Sequence, residues 1–198
     1  MKPRILISVT DKTGLEKFAK LTTQGWKIIS TGGTAKALEG MGIPCVLVEN
    51  ETQFPEMLDG RLKTLHPRIF GGILANRSKV GHMEAIAEYN IATIDLVVVN
   101  LYDFLGNPDI ETIDIGGPSL IRAAAKNCAS VPILTDPRDY DEVIAHLFAT
   151  GEVPEEKRVA LALKAFEYTA AHDAAISKWL RDKVRLGESI FQPGDTGH

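Results

Sequence analysis

The sequence predicts an α/β domain built on a mostly parallel sheet, and three observations carry that prediction. Short apolar runs recur at 5–9, 26–30, 45–48, 96–101 and 131–134, and the first is β-branched without polar alternation, as in a strand buried on both faces. The early runs pass through a polar turn into apolar residues at helical spacing, and strand–turn–helix units this close together imply right-handed crossovers. From Pro154 onward the period is helical alone. Ligands in such sheets bind beyond the carboxyl ends of the strands.

Taken in order, the first strand at 5–9 runs into the turn 10–14 and then a helix with Leu15, Phe18, Ala19 and Thr22 on one face. Asp11 or Thr13 is its candidate N-cap. The strand at 26–30 leads through Thr31-Gly32-Gly33-Thr34 into a helix over 35–40, followed by a third strand at 45–48. Residues 54–72 (FPEMLDGRLKTLHPRIFGG) keep no period and are broken by Pro55, Asp59-Gly60, Pro67 and Gly71-Gly72, so they read as a functional loop. Within it Arg61, Lys63 and Leu65 alternate, and an extended run would point them one way. Residues 73–75 read as a brief strand, 80–89 as a helix and 96–101 as the most hydrophobic strand. After an irregular piece at 109–117, Pro118 suits the first turn of a helix over 119–127. A strand at 131–134 and a helix at 140–148 follow, then one long helix or two shorter ones.

The 198 residues are 44% hydrophobic and 24% charged, enough for one domain over 1–186 with its own core, ahead of a loosely ordered tail at 187–198. A net charge of -4 without any block of like charges argues against nucleic acid and anionic membranes as partners. The opening MKPRILISVTDK is neither a leader nor a span. Cys45 and Cys128 stand far apart and outside metal-like spacing, which fits buried thiols in a reducing cytoplasm. The five histidines are scattered with no HExxH, so no metal site is expected.

Two turns at the predicted carboxyl edge carry anion-binding chemistry. Thr31-Gly32-Gly33-Thr34 lets backbone N–H groups approach a phosphate, with Thr34 as helix cap and the helix dipole adding about 0.3–1 kcal/mol. Thr10, Lys12 and Thr13 add hydroxyls and a cation at the same edge. The turn lacks GxxxxGK[ST] and GxGxxG, which excludes a triphosphate loop and a dinucleotide fold; a plain connecting turn is the alternative. Lys126, Tyr102, Asp114 and His66 each have an ordinary structural reading as dipole complement, rim aromatic, turn residue and hydrogen-bonded core residue.

Jointly, SVTDKTG at 8–14, STGGTAKAL at 30–38, FPEMLDGRLKTLHPRIFGGIL at 54–74, VVNLYDF at 98–104, IDIGGPSLIRAAAKN at 113–127 and LALKAFEYTAAHDAAISKWL at 161–180 resemble one family. It is the inosine monophosphate cyclohydrolase domain, the amino-terminal half of a bifunctional purine-biosynthesis protein. The resemblance implies a three-layer fold like that of methylglyoxal synthase, with extra carboxyl-terminal helices. It implies catalytic roles for Lys63, Tyr102, Asp114 and Lys126. Ser8, Thr10, Lys12, Thr31, Gly33 and Thr34 would bind phosphate, Arg61 and Thr64 ribose, phosphate or carboxamide, and Asn100 and Gly116 the base or its carboxamide. Three departures stand out: no transformylase domain, which implies a separate formyltransferase; Asp103 where the bifunctional proteins have proline; and Cys128 where a histidine or larger residue is expected.

The implied reaction closes 5-formamidoimidazole-4-carboxamide ribotide to inosine monophosphate with loss of water. It calls for no cofactor, because no redox change or external group transfer occurs. A cytoplasmic homodimer is the implied assembly, with the carboxyl-terminal helices as a candidate contact. The rival readings are a non-catalytic nucleotide-binding regulatory domain of the same fold, a phosphate-eliminating lyase, and a structural subunit tethering a separate transformylase.

Overall fold

The computed structural model describes residues 2–190, so the end of the predicted tail, 191–198, lies outside the described residues. Five strands, β1 (Arg4–Ser8), β2 (Lys27–Ser30), β3 (Val46–Leu47), β4 (Leu96–Val99) and β5 (Ile133–Leu134), form one sheet in the order β3-β2-β1-β4-β5. Every pairing is parallel, with Ile5 opposite both Ile28 and Leu96. Ile5, Leu6 and Ile7 on the central strand are fully buried because helices cover both faces. That is why the run shows no polar alternation.

One face packs Ile5 and Ile7 against Phe18 and Leu21 of the first helical segment, whose α-helix is α1 (Ala19–Thr23), Leu38 of α2 (Gly32–Gly40) and Tyr140 and Val143 of α7 (Tyr140–Thr150). The other packs Leu6 and Val97 against Ile69 and Ile73 of α4 (Pro67–Leu74), Leu120 and Ala124 of α6 (Gly116–Lys126) and Ala165 of α8 (Glu155–Leu186). Burying each of the larger side chains contributes about 1.5–3 kcal/mol relative to exposure. The two remaining helices are α3 (Val48–Thr52) and α5 (Val80–Glu88). After Pro154 the chain runs as a single helix of 32 residues to Leu186.

Several boundaries differ from expectation for local reasons. Neither Asp11 nor Thr13 caps the first helical segment: Gly14, at φ 77°, precedes it, and the Asp11 carboxylate accepts from Thr13 N within the turn. Helix α2 starts at Gly32 rather than at 35, so Thr34 lies inside it and Thr31, extended, is the N-cap. The third strand is only two residues long and turns directly into α3.

The largest difference is at 67–74, expected as the end of a loop and most of a brief strand, and found as α4. His66 Nδ1 accepts from Arg68 N (3.1 Å) as N-cap and Pro67 occupies the first turn, a strong local start. Gly71-Gly72, a breaker in sequence, is a packing device in the fold. A Cβ on Gly72 would lie 2.5 Å from the Ala92 carbonyl, and Ile94 N donates to Gly72 O at 2.9 Å.

An ionic cluster holds α8 to the turn after β5. Lys164 Nζ donates to Asp136 (2.8 Å) and Asp139 (2.6 Å), while Arg138 chelates Asp136 from the other side. Arg138 above all, then Lys164, holds the Asp136 carboxyl well below its ordinary value of 3.8. A depressed carboxylate stabilises the fold above its unfolded value, and that contribution disappears as pH falls through the folded one. Thermal unfolding across pH 6 to 2 is therefore expected to show a melting temperature falling below about pH 4, with a shallower fall in Asp136→Asn. Gly72→Ala, forced against backbone, is expected to cost about 1–3 kcal/mol in urea unfolding.

Candidate active site

From β1 the chain builds outward to β2 and β3 on one side, then crosses to β4 and β5 on the other. The carboxyl ends of β1 and β4 therefore flank a topological switch point, where a doubly wound sheet opens a crevice. Most of the sequence-predicted residues come to this edge. Ser8 to Lys12 leave β1, Thr31 to Thr34 leave β2, and Asn100 to Tyr102 leave β4.

Strands that end leave backbone donors without ladder partners, and side chains satisfy them here. Thr34 Oγ1 accepts from Val9 N (3.1 Å) and donates to Val9 O (3.0 Å). Asn100 Oδ1 accepts from Thr10 N (2.5 Å) and Asp11 N (3.0 Å), and its Nδ2 returns a bond to Asp11 O (3.1 Å). Both side chains are thus engaged in building the turn. Lys12 folds back to Val9 O and Thr34 Oγ1, and burial lowers its proton affinity, partly offset by Asp11. Ser8 and Thr31 hydroxyls meet at 3.1 Å. Gly32 and Gly33, at the start of α2, have open space where a Cβ would stand, so the helix N-terminus is accessible to an anion.

The segment 53–66 covers this edge. Lys63, with Thr31, Gly32, Phe54 and Glu56, lines a cavity of about 70 Å³ over the start of α2. A nucleotide needs a pocket of roughly 300 Å³ or more. The covering wall is exposed at Met57 and Leu58 and holds Gln53, Leu58 and Asp59 at φ between 52° and 57°, strained for non-glycine residues. Arg61 and Lys63 do not point one way as expected. A short helical turn at Leu58–Gly60 reverses the chain, and Arg61 pairs with exposed Glu111 while Lys63 turns inward.

Asp114 sits just ahead of α6, and its Oδ1 accepts from Gly117 N at 2.8 Å. The two glycines make room for side chains: a Cβ on Gly117 would lie 2.5 Å from Asp114 Oδ2, and one on Gly116 would lie 3.0 Å from the buried Thr64 hydroxyl. Burial raises the Asp114 proton affinity, opposed by the Gly117 N–H and by the charges of His172 and Lys63. Tyr102, 55% exposed, stands at the rim after β4.

Lys126 is not brought to this edge. It closes α6, ten residues beyond Gly116 at 1.5 Å rise each, so about 15 Å away along the helix. That end lies at the amino edge of the sheet, where Asn127 Nδ2 donates to Ile73 O (2.7 Å) and Ala75 O (3.1 Å). Within one chain Lys126 and Asp114 thus lie at opposite ends of α6, because buried Ala123, Ala124 and Ala125 keep the helix continuous and packed.

Two residues of this edge were not singled out from sequence. Tyr168 of α8 accepts from Leu101 N at 3.0 Å, and His172, one turn later, is buried beside Phe104. Their signal was present: they are polar residues on the stripe of Leu161 and Ala165 that α8 buries.

Residues 14–129 match the family described as MGS-like domain, and residues 124–194 match the AICARFT/IMPCHase bienzyme family. The bifunctional purine biosynthesis protein PurH of Streptococcus pneumoniae is 50% identical over 96% of this chain. That of Streptococcus mutans is 50% identical over 93%. The chain spans 38% of the length of each of these relatives. Among solved structures, one titled "Crystal structure of ForH" superposes with a TM-score of 0.81 at 37% identity, covering 89% of this chain and 98% of that one.

Because Thr34 serves two backbone groups of Val9, Thr34→Val is expected to lose about 1–3 kcal/mol of stability in urea unfolding. An anion ligand would bind this variant more weakly as the turn loosens, measured by titration calorimetry.

Proposed function

Because the chain belongs to the MGS-like domain family, we propose that it is an inosine monophosphate cyclohydrolase acting on 5-formamidoimidazole-4-carboxamide ribotide. One observation carries the reading. Lys63 lines the cavity over the open N-terminus of α2, and its charge opposes the burial that raises the proton affinity of the half-buried Asp114, so one cation acts on a phosphate cradle and a candidate base. The PurH likeness and the match to the AICARFT/IMPCHase bienzyme family support the same substrate class.

In this reading the phosphate lies against Gly32 and Gly33, with Ser8, Thr10, Lys12 and Thr31 around it. Thr34 and Asn100 hold the two turns that receive it. Arg61, Thr64 and Gly116 border the ribose and carboxamide. Entry of the nucleotide displaces the 53–66 segment, whose strained turn makes it the wall most easily moved.

Ring closure joins the carboxamide nitrogen to the formyl carbon. One proton leaves that nitrogen and the formamido nitrogen gives up another, and both depart with the formyl oxygen as water. Both reactants sit on one imidazole, so holding the two substituents face to face supplies much of the acceleration. Asp114 takes the amide proton, and its burial-raised proton affinity moves it toward the operating pH of a general base. Lys63 and Tyr102 balance charge on the formyl oxygen and deliver its proton. The chain's own set is thus Lys63, Tyr102 and Asp114, with Lys126 outside it. We further propose a cytoplasmic homodimer that receives its substrate from a separate formyltransferase.

The deciding experiment is an ultraviolet assay of the purified chain with the formamido ribotide. Inosine monophosphate formation above the spontaneous rate is expected; binding without turnover would instead identify a regulatory nucleotide-binding domain. Asp114→Asn and Lys63→Ala are each expected to lower kcat about 100-fold or more. Lys126→Ala is expected to retain turnover within about threefold of the parent; a loss matching Asp114→Asn would mean that a second copy supplies this lysine.

A further inference from the structure

The tip of the covering 53–66 segment sets two opposite charges side by side. Met57 N donates to Leu62 O (3.0 Å) and Leu62 N donates to Met57 O (3.2 Å), so the two residues form a hydrogen-bonded antiparallel pair. Glu56 and Lys63 are the next positions outward on either side of that pair, which makes them cross-strand neighbours. Both side chains turn back over the loop they flank: Glu56 Oε1 and Lys63 Nζ lie 2.7 Å and 3.4 Å from where a Cβ on Gly60 would stand. Both also line the cavity over the start of α2. That helix start has no anion of its own. Thr31, its N-cap, makes no side-chain cap bond, and no acidic residue stands in its first turn. The first N–H groups of α2 thus open on a cavity into which the hairpin brings a carboxylate, and a helix N-terminus favours negative charge. Glu49 lines the same cavity from the first turn of α3, where its charge complements that helix. Glu56 is exposed and instead rides on a loop in which Leu58 and Asp59 hold positive φ.

We propose that Glu56 is a resident stand-in for the ligand's phosphate: in the empty site its carboxylate shares the anion cavity with Lys63, and a phosphate displaces it to reach Gly32 and Gly33. The inference deepens the phosphate site of the cyclohydrolase reading and rests on that site, but it needs no cyclisation. A phosphate dianion carries more charge than the carboxylate it replaces, so Lys63 and the helix start both favour the exchange. A neutral ligand offers neither of them anything in return. Because Glu56 and Lys63 sit on one hairpin, displacing the acid and freeing the lysine are a single movement.

The test is titration calorimetry of the full chain with inorganic phosphate and with inosine monophosphate, in the parent, in Glu56→Gln and in Glu88→Gln, which removes one charge from the exposed side of α5. Glu56→Gln is expected to bind both ligands about twofold to fivefold more tightly, the range that a solvated charge interaction supports. High salt is expected to shrink that gain, because screening weakens the competing carboxylate. Glu88→Gln is expected to match the parent. An equal gain in Glu88→Gln would reduce the effect to net charge and overturn the proposal, and so would unchanged or weaker binding in Glu56→Gln. Phosphate that binds the variant more tightly while inosine monophosphate binds neither chain would sink the cyclohydrolase reading and leave the exchange standing. Failure of both ligands to bind either chain would overturn the two together.

Discussion

Parallel strands run out of ladder partners at their carboxyl ends, and the crevice of a doubly wound sheet opens where that shortage is greatest. Thr34 and Asn100 meet it by bonding the backbone of Val9, Thr10 and Asp11. A hydroxyl and an amide do this without filling the crevice, which leaves the glycines of α2 uncovered. Losing Thr34 would leave the buried Val9 N–H unpaired, at a cost of about 1–3 kcal/mol, and losing Asn100 would release the turn at Thr10 and Asp11. The proposed phosphate cradle thus depends on two side chains that spend their polar atoms on the protein.

Three glycine pairs serve three different physical ends. Gly32-Gly33 stands in open space at a helix start. Gly71-Gly72 lets α4 come against the Ala92 carbonyl, and Gly116-Gly117 lets Asp114 and Thr64 approach the start of α6. A methyl group on Gly72 would meet backbone at 2.5 Å, so contact requires glycine there, whereas on Gly71, Gly116 or Gly117 it would press on side-chain atoms at 2.5–3.1 Å that would have to shift. Gly116-Gly117 connects packing to chemistry, since it is what allows a half-buried carboxylate at this edge.

Helix α8 is more than an appendage. Lys164 anchors it to Asp136 and Asp139, Tyr168 holds the end of β4, and His172 is buried against Phe104. Its other face keeps Val159 and Leu163 exposed. The helix that follows the last strand thereby completes the edge begun by the first.

The sequence by itself determined the class of fold and most of the edge. Apolar runs without alternation can only be buried on both faces, and polar turns following strands in a parallel sheet fall on one side. Of the four residues the resemblance implied, Lys63, Tyr102 and Asp114 lie around that edge and Lys126 lies at the far end of α6. Tertiary structure decided what spacing cannot express. Gly71-Gly72 reads locally as a breaker, and only the approach of Ala92 makes it part of a helix. Lys126 and Asp114 share one quoted motif, yet an unbroken α6 sets the two at opposite ends, because helix rise separates what a short stretch of sequence joins. His172 became visible only once α8 was folded against the end of β4, since its ring contact with Phe104 lies in another segment of the chain and burial has no signature in one residue.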